Sequence, residues 1–384
     1  MRFPEFNGEW ETKLINDLAV VIGGGTPDTT IKSYWDGEIQ WFTPSEIGKN
    51  KYVDSSLRTI TEEGLNNSSA KLLPPNTILL SSRATIGECS LSLRECATNQ
   101  GFQSLVSKKC YVDFLYYLIQ TKKRDLIRKS CGSTFLEISA NEVRKIQVSV
   151  PTDVEQQKIA GLLSLIDERI ATQNKIIEDL KKLKSAIIDY AINSLDTDFA
   201  KFGSLYETAG EGGTPTTSNA SFYDNGKIPF VKIDDLKQKY LTENKDFITE
   251  LGLQKSSAWL VPTRSILFSN GATIGEITIT TYPVCTKQGI LGIVPKSNID
   301  VEFLYYFMSS TYFKKAISRI VTEGTMKTAY LKDIANILCP IPTKEKQQGI
   351  AKMPSALNSK IDYEQSLLKL FIMQKQYLLR QMFI

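Results

Sequence analysis

The chain has 384 residues, of which 42% are hydrophobic and 23% charged, and a formal net charge of +4. These values are ordinary for a globular protein of two or three domains, and so small a net charge does not by itself indicate a nucleic-acid partner. The chain contains no histidine, which excludes His-based catalytic triads and His-ligated metal sites. No apolar run has the length of a membrane span, and residues 1–13 lack the apolar core of a signal peptide, so we expect a cytoplasmic protein.

The first 151 residues predict a globular domain with both strands and helices. Short β-branched runs interrupted by glycine, such as residues 77–92, are typical of strands joined by tight turns. Residues 114–129 predict one amphipathic helix, and a short strand closed by Pro151 ends the domain.

A heptad pattern follows over residues 152–195 and predicts a long coiled-coil helix. Apolar residues recur at alternate spacings of four and three, and Gln173 and Lys184 interrupt them. If it is helical throughout, the segment 155–193 is about 58 Å long. The apolar seam contains Ile159, Leu163, Ile166, Ile170, Ile177 and Leu180.

The same plan is then repeated, with a second domain over residues 196–342. Motifs of the first copy return in constant order, while the offset between the copies grows from 188 to 191 residues. Constant order with slow drift indicates duplication of a whole domain and its connector rather than a short solenoid repeat. The recurring motifs are Gly24–Pro27 with Gly212–Pro215, Ala84–Glu88 with Ala272–Glu276, Phe114–Tyr117 with Phe303–Tyr306, and Gln156 with Gln347.

Residues 343–384 predict a second long helix, whose polar interruptions Glu364 and Lys375 match Gln173 and Lys184. Matching interruptions predict that the two helices pack together, and the chain direction favours an antiparallel arrangement. Pro354 lies on this seam and predicts a kink or a restart near Ser355. The second seam contains Leu357, Ile361, Leu368 and Phe371. We therefore expect an α+β protein with two similar globular domains separated by two long antiparallel coiled-coil helices, with an internal two-fold repeat.

Familiar catalytic motifs are missing. Gly23–Pro27 lacks the lysine of a phosphate loop, so we interpret its glycines as a tight turn with positive φ. The pair Pro74–Pro75 lacks the flanking residues of an adenine methyltransferase motif, and Glu243–Lys245, the nearest match to a metal nuclease, has no counterpart in the first copy. The six cysteines form no C-x-x-C pair, and we expect reduced thiols.

A local basic segment favours nucleic acid. Residues 108–129 contain seven Lys or Arg and two Asp, and the second copy keeps Lys314, Lys315 and Arg319 in the same region. A solvated helix face is an equally good interpretation of either segment alone. Two such helices in one protein favour contact with two stretches of DNA backbone.

The ordered, duplicated motifs, each copy followed by a heptad helix, resemble the specificity (S) subunit of type I restriction-modification systems over essentially the whole chain. The resemblance implies target recognition domains at 1–151 and 196–342, each reading one half of a bipartite DNA sequence. It implies that the helices at 152–195 and 343–384 set the distance between the half-sites and that their seam residues dock partners. Those partners would be two modification (methyltransferase) subunits, joined by restriction subunits with translocase and nuclease activity.

The resemblance also implies that this chain is non-catalytic within an adenine-N6 methyltransferase and restriction complex. It would bind no cofactor, and S-adenosylmethionine, ATP and Mg would bind to the partner subunits. Two other classes stay open at this point. A stand-alone methyltransferase or nuclease would bind its own cofactor, and a non-specific coiled-coil scaffold would show no preference for a DNA sequence.

Base-reading residues should be polar or basic and should differ between the copies, because shared residues cannot give two specificities. Arg or Lys favours guanine edges and Asn favours adenine edges. In the alignment of the two copies, Arg83 corresponds to Asn270 or Gly271, and Asn99 corresponds to Lys287. Variation on a solvated surface is the competing explanation for each. The candidates are Lys32, Arg83, Asn99, Lys232, Asn270, Lys287 and Lys327.

Overall fold

The computed structural model describes residues 1–132, 136–271, 273–321 and 327–383. The chain divides into two compact units. Unit 1 comprises Met1–Lys175 and Gln365–Ile384, and unit 2 comprises Ile176–Glu364. Each unit therefore combines one globular part with segments of two long helices.

The described part of unit 1 forms one five-stranded, one three-stranded and one two-stranded sheet. Its strands are β1 Glu11–Leu14, β2 Ala19–Gly23, β3 Trp35–Phe42, β4 Tyr52–Val53, β5 Arg58–Ile60, β6 Ile78–Leu80, β7 Cys89–Ser92, β8 Cys96–Thr98, β9 Gln103–Ser107 and β10 Gln147–Val150. Its short helices are α1 Ile15–Leu18, α2 Glu62–Asn66, α3 Val112–Thr121, α4 Lys123–Arg128 and α5 Ala140–Arg144. The long helix α6, Asp153–Asn193, begins in this unit.

Unit 2 has the same kinds of elements. Its strands are β11 Phe199–Lys201, β12 Tyr206–Glu211, β13 Ile228–Val231, β14 Tyr240–Leu241, β15 Asp246–Ile248, β16 Ile266–Ser269, β17 Ile277–Thr280, β18 Cys285–Thr286, β19 Ile290–Pro295 and β20 Leu338–Pro340. Its short helices are α7 Glu250–Gln254, α8 Val301–Ser309, α9 Thr311–Ile320 and α10 Leu331–Ile334. The second long helix, α11, spans Lys344–Met382.

The strand order of unit 2 repeats that of unit 1. The five-stranded sheets run β2-β9-β6-β7-β4 and β12-β19-β16-β17-β14. The three-stranded sheets run β5-β3-β8 and β15-β13-β18, and the two-stranded sheets pair β1 with β10 and β11 with β20. Each strand of unit 2 therefore has the same place in its sheet as the unit 1 strand whose number is lower by ten; β12, for example, corresponds to β2. The sequence repeat is a repeat of a complete α+β fold, as predicted.

The repeated Phe-Leu-Tyr-Tyr motif lies in the core of each unit. Phe114 and Tyr117 are fully buried on α3, as are Leu304 and Tyr306 on α8. The single helix predicted over 114–129 is wrong, because α3 ends at Thr121 and α4 begins at Lys123. In unit 2 the corresponding break falls at Ser310, whose hydroxyl accepts from the N–H of Phe313 at 3.2 Å and starts a new helix.

The long helices pack antiparallel in unit 1. Lys375 lies 2.7 Å from Asp167, and the guanidinium of Arg169 lies 5.6 Å from the ring centroid of Phe371. The later residue of α11 thus meets the earlier residue of α6, as antiparallel helices require. The predicted seam supplies this packing. In unit 1 its members Ile159, Leu163 and Ile166 are buried, and Ile170, Leu368 and Phe371 are half-buried. In unit 2 Ile177 and Ile361 are buried, and Leu180 and Leu357 are half-buried.

Helix α11 remains continuous through Pro354, so the predicted restart near Ser355 is wrong. Proline removes one backbone donor, yet tertiary contacts hold the turn that follows it. The hydroxyl of Ser355 accepts from Lys239 at 2.9 Å and lies 3.1 Å from the hydroxyl of Tyr306. Pro354 itself is buried.

Candidate nucleic-acid interface

In unit 1 the repeated motifs meet in one group of loops. Backbone hydrogen bonds join Gly25 N to Thr98 O at 2.8 Å, and Asn99 N to the end of β3 at Phe42 O at 3.1 Å. Ser82 N donates to Gly101 O at 2.8 Å. We call residues 24–27, 43–46, 82–88 and 99–101 the unit 1 loop cluster.

The glycines of the first motif allow two of these loops to touch. A Cβ on Gly24 would overlap the backbone carbonyls of Thr98 and Asn99, and one on Gly25 would overlap the backbone of Ser69 and Ala70. Neither glycine has a positive φ, so the interpretation as a turn with positive φ is wrong. Close approach of two backbones is the reason for glycine here.

Unit 2 builds the same group of loops from the second set of motifs. Asn270 N donates to Gly289 O at 2.9 Å, and Lys287 N donates to Val231 O at 2.9 Å. Gln288 N lies 3.4 Å from the hydroxyl of Thr214. We call residues 212–215, 232–235, 270–276 and 287–289 the unit 2 loop cluster, in which Ala272 lies outside the described residues.

These bonds settle the alignment that the sequence left open. Ser82 and Asn270 make the same backbone hydrogen bond to the equivalent residues Gly101 and Gly289. Arg83 is therefore structurally equivalent to Gly271, and Asn99 is equivalent to Lys287. Both differences lie within the loop clusters.

Four of the predicted readers are exposed: Lys32, Lys232, Lys287 and Lys327. Lys232 forms an ion pair with Asp246 at 2.8 Å. Lys327 lies two residues before Ala329, whose N–H donates to Asn270 O at 2.9 Å, so it stands beside the unit 2 loop cluster.

The other three predicted readers are engaged within the protein. Arg83 is half-buried and forms an ion pair with Glu137 at 2.8 Å. The Oδ1 of Asn99 accepts from the N–H of Gly101 at 2.8 Å. Asn270 is 1% exposed, and its Nδ2 donates to Ala329 O at 3.2 Å. Because Asn270 is buried, its side chain does not reach a base edge in this conformation; it ties two loops together.

Arg58 is an exposed cation that the sequence reasoning missed. Its guanidinium lies 3.5 Å from the ring centroid of Trp35. This stacking fixes the orientation of the planar guanidinium group. It pairs in register with Trp41, whose indole N–H donates to Gly25 O at 2.9 Å, so it borders the loop cluster. No carboxylate of the described residues lies within ion-pair distance of it.

The equivalent of Arg58 in unit 2 carries the opposite charge. Asp246 pairs with Phe230 as Arg58 pairs with Trp41, and it binds Lys232. Arg58 lies outside the shared motifs, so only the charge reversal at an offset of 188 residues could have revealed it from the sequence.

The basic segment at 108–129 is partly neutralised. Lys123 binds Glu88, Arg128 binds Asp125 at 2.8 Å, and Lys129 binds Glu142 at 3.5 Å. Such pairs weaken the positive field that the sequence suggests there.

Within the part of the chain that the structure describes, no helix is long and apolar enough to cross a bilayer. The described residues also contain no group of three or more Cys, Asp or Glu side chains arranged to hold a metal ion. All six cysteines are free thiols.

Two similar α+β folds with matching loop clusters and differing loop side chains define a protein that presents two distinct recognition surfaces. The family model for the type I restriction modification DNA specificity domain matches residues 7–182 and again 196–370. The chain belongs to this family of type I restriction-modification specificity subunits. It is a non-catalytic DNA-recognition subunit that acts with DNA and with other subunits of such a complex.

Known proteins of similar sequence or fold carry the same description. The MjaIX specificity subunit of Methanocaldococcus jannaschii is 31% identical over 380 residues, covering 92% of this chain and 88% of that protein. The EcoR124I/EcoR124II specificity subunit of Escherichia coli is 31% identical over 190 residues, covering 47% and 46%. The S subunit structure from Mycoplasma genitalium has the same fold, with a TM-score of 0.58, 18% identity, and 100% and 99% of the two chains covered.

Proposed function

We propose that unit 1 and unit 2 each read one half of a bipartite DNA target through their loop clusters. One observation supports this most directly: equivalent positions on the same backbone carry different chemistry. Arg83 is replaced by Gly271, Asn99 by Lys287, and Arg58 by Asp246. Shared backbone with exchanged polar side chains is what two different half-sites require, because base edges are read by donor and acceptor patterns.

Of the exposed cations in unit 1, Arg58 is the best suited to read a base. Stacking on Trp35 fixes the plane of its guanidinium. A guanidinium held in a fixed plane can donate two parallel hydrogen bonds to one guanine. Arg83 is a weaker candidate, because Glu137 already occupies its donors. Lys287 and Lys327 are the corresponding candidates in unit 2.

The long helices would dock two modification subunits, and restriction subunits would join that assembly. Five of the predicted docking residues along the seam are buried and five are half-buried, so more exposed side chains of the two helices would make most of these contacts. Large apolar side chains exposed on α6 and α11 support this role, since exposed apolar groups favour association. They include Leu165, Tyr190, Met353, Tyr363, Leu370 and Met373, which are 59–77% exposed. S-adenosylmethionine, ATP and Mg would bind to the partner subunits.

A methylation map tests this function. The chain is co-expressed with its modification subunit in a host that lacks adenine methylation, and methylated adenines are located by long-read sequencing. The proposal predicts a gapped motif of two parts that disappears when this chain is omitted. A stable complex that methylates no such motif would contradict it.

The two other classes have their own signatures. A stand-alone methyltransferase would bind S-adenosylmethionine as the isolated chain. A non-specific scaffold would assemble with partners but leave methylation independent of sequence.

A further inference from the structure

A buried lysine in unit 1 joins three elements of the fold. The side chain of Lys51 is 6% exposed, and its ammonium lies 2.5 Å from Asp113 and 2.6 Å from the hydroxyl of Ser164. The ring centroids of Tyr52 and Tyr117 both lie 5.0 Å from it, and that of Tyr116 lies 5.8 Å away. We call this group the Lys51 site.

Unit 2 contains the same arrangement, the Lys239 site. The side chain of Lys239 is 3% exposed, forms an ion pair with Glu302 and donates to the hydroxyl of Ser355 at 2.9 Å. The ring centroids of Tyr240 and Tyr306 lie 4.8 and 4.7 Å from its ammonium, and that of Tyr305 lies 5.8 Å away. The lysine, the acid, the serine and all three tyrosines recur at equivalent positions.

Each site connects a sheet edge to a long helix. Lys51 directly precedes β4, the edge strand of the five-stranded sheet, and its carbonyl accepts from Leu91 N at 2.7 Å. Asp113 lies on the first turn of α3, and Ser164 lies on α6. In unit 2 the corresponding elements are β14, α8 and α11. The backbone of each lysine therefore belongs to the sheet while its ammonium is held by the helices.

Such a contact resists relative movement. A buried ammonium needs all its acceptors, because no water replaces them. A long helix that tilted away from the sheet would remove the serine acceptor, while the carboxylate on the short helix stayed in place. The surrounding tyrosine rings add cation–π attraction in the same geometry. Buried polar contacts of this kind contribute more to a defined arrangement than to stability.

We infer that Lys51 and Lys239 are positioning residues that hold each recognition fold in a fixed orientation on its long helix and thereby restrict the gap allowed between the two half-sites. The inference rests on the proposed bipartite reading. It assigns to these lysines no contact with DNA. Their effect is on the tolerance of the gap, not on the bases that are read.

The test measures methylation rates on duplexes that share both half-sites but differ in the gap by one or two base pairs. The full chain is used in complex with its modification subunit, and the motif from the methylation map supplies the half-sites. In Lys51→Met or Lys239→Met we expect the rate at an altered gap, relative to the native gap, to rise about tenfold. The double variant should show a larger rise, and the half-site bases should stay unchanged.

Matched controls separate positioning from general loss of structure. Asp113→Glu should keep the wild-type ratio, because Glu302 fills this place in unit 2. Arg94→Met, which removes an exposed ion pair with Asp54, should also leave the ratio unchanged. If the lysine variants do not fold, Ser164→Ala with Ser355→Ala removes one acceptor at each site and should raise the ratio in the same direction by less.

Rates that fall equally at every gap in folded lysine variants, or in the double serine variant, would overturn the inference. A wild-type complex that recognises no gapped motif would instead overturn the proposed function.

Discussion

The two units place a lysine of one long helix against a polar residue of the other, but they differ in the partner. In unit 1, Lys375 binds the carboxylate of Asp167, which also accepts from the hydroxyl of Tyr117 at 2.6 Å. In unit 2, Lys184 donates to the amide of Asn358 at 2.9 Å. The lysine of the long-helix contact thus binds a carboxylate in one copy and an amide in the other.

The consequence appears in the titration of Lys184. Burial lowers the pKa of Lys184 below its ordinary value, and the nearby charge of Asp362 opposes this effect without cancelling it. Duplication has therefore preserved the position of a polar interruption while changing its electrostatics. The two contacts should therefore respond differently to the loss of the lysine.

Removing the lysine should affect unit 1 more than unit 2. Lys375→Met leaves Asp167, which is 15% exposed, without its cation, and we expect a loss of about 3 kcal/mol in the free energy of unfolding of unit 1. Lys184→Met removes a partly buried charge whose hydrogen-bond partner is the amide of Asn358. We expect unit 2 to lose less than about 1 kcal/mol, because no buried carboxylate loses a direct ion pair.

Urea unfolding followed by tryptophan fluorescence measures both effects. Trp10, Trp35 and Trp41 report on unit 1, and Trp259 reports on unit 2. Equal losses in the two variants would show that the charge of Asp167 does not matter to the contact.

Arg58 should act on one half-site only. Arg58→Gln removes the stacked guanidinium, and we expect discrimination at one position of the unit 1 half-site to fall by about 1.5 kcal/mol, or roughly tenfold. The methylation motif of the variant is compared with that of Arg94→Gln, which alters an exposed arginine already paired with Asp54. A motif that relaxes in both halves, or in neither, would contradict the assignment of Arg58.

The stability of unit 2 should depend on alkaline pH through Lys184. The folded pKa of Lys184 lies below its unfolded value of 10.5. Between these two values the unfolded chain binds more protons, so the free energy of unfolding rises with pH across that window. Buried thiols such as Cys285, whose pKa is raised, act in the opposite direction in both proteins. The free energy of unfolding of the wild type relative to Lys184→Met, measured by urea unfolding from neutral pH to about pH 10.5, should therefore rise with pH. Identical pH profiles would remove Lys184 as its source.

The thiols give the smallest and simplest contrast between the units. Cys131 in unit 1 is exposed, whereas burial raises the pKa of Cys89, Cys96 and Cys110 to about 12 and that of Cys285 to about 11. A maleimide at neutral pH should therefore add once to the native protein, and not at all to Cys131→Ser, as measured by intact mass. Labelling of Cys285 before unfolding would show that unit 2 opens more readily than its packing indicates.

The repeat made much of the fold predictable. Two copies of ordered motifs imply two copies of one fold, and the matched interruptions at Lys184 and Lys375 indicated that the helices pack together. The partners Asp167 and Asn358 were not predicted, because a heptad pattern identifies a seam but not which polar side chain meets an interruption. The break at Ser310 was also missed, since a capping serine inside an amphipathic run looks like one more polar position.

The candidate site was less predictable than the fold. Polarity and difference between the copies selected Asn270, but only the folded chain shows that its side chain points inward. Lys51 and Lys239 were not selected from the sequence, because a lysine is usually exposed. Their burial depends on an acid and a serine that lie far along the chain. Arg58 was overlooked because its neighbours, rather than its own motif, orient it.

The central claim is that each unit reads its own half-site, and an exchange within the chain tests it most directly. Residues 18–150 are replaced by a second copy of residues 206–341, the corresponding stretch of unit 2, and the methylation motif is mapped again. The account predicts a gapped motif in which both parts match the half-site read by unit 2. An unchanged first half-site, in a complex that still assembles and methylates, would contradict the account.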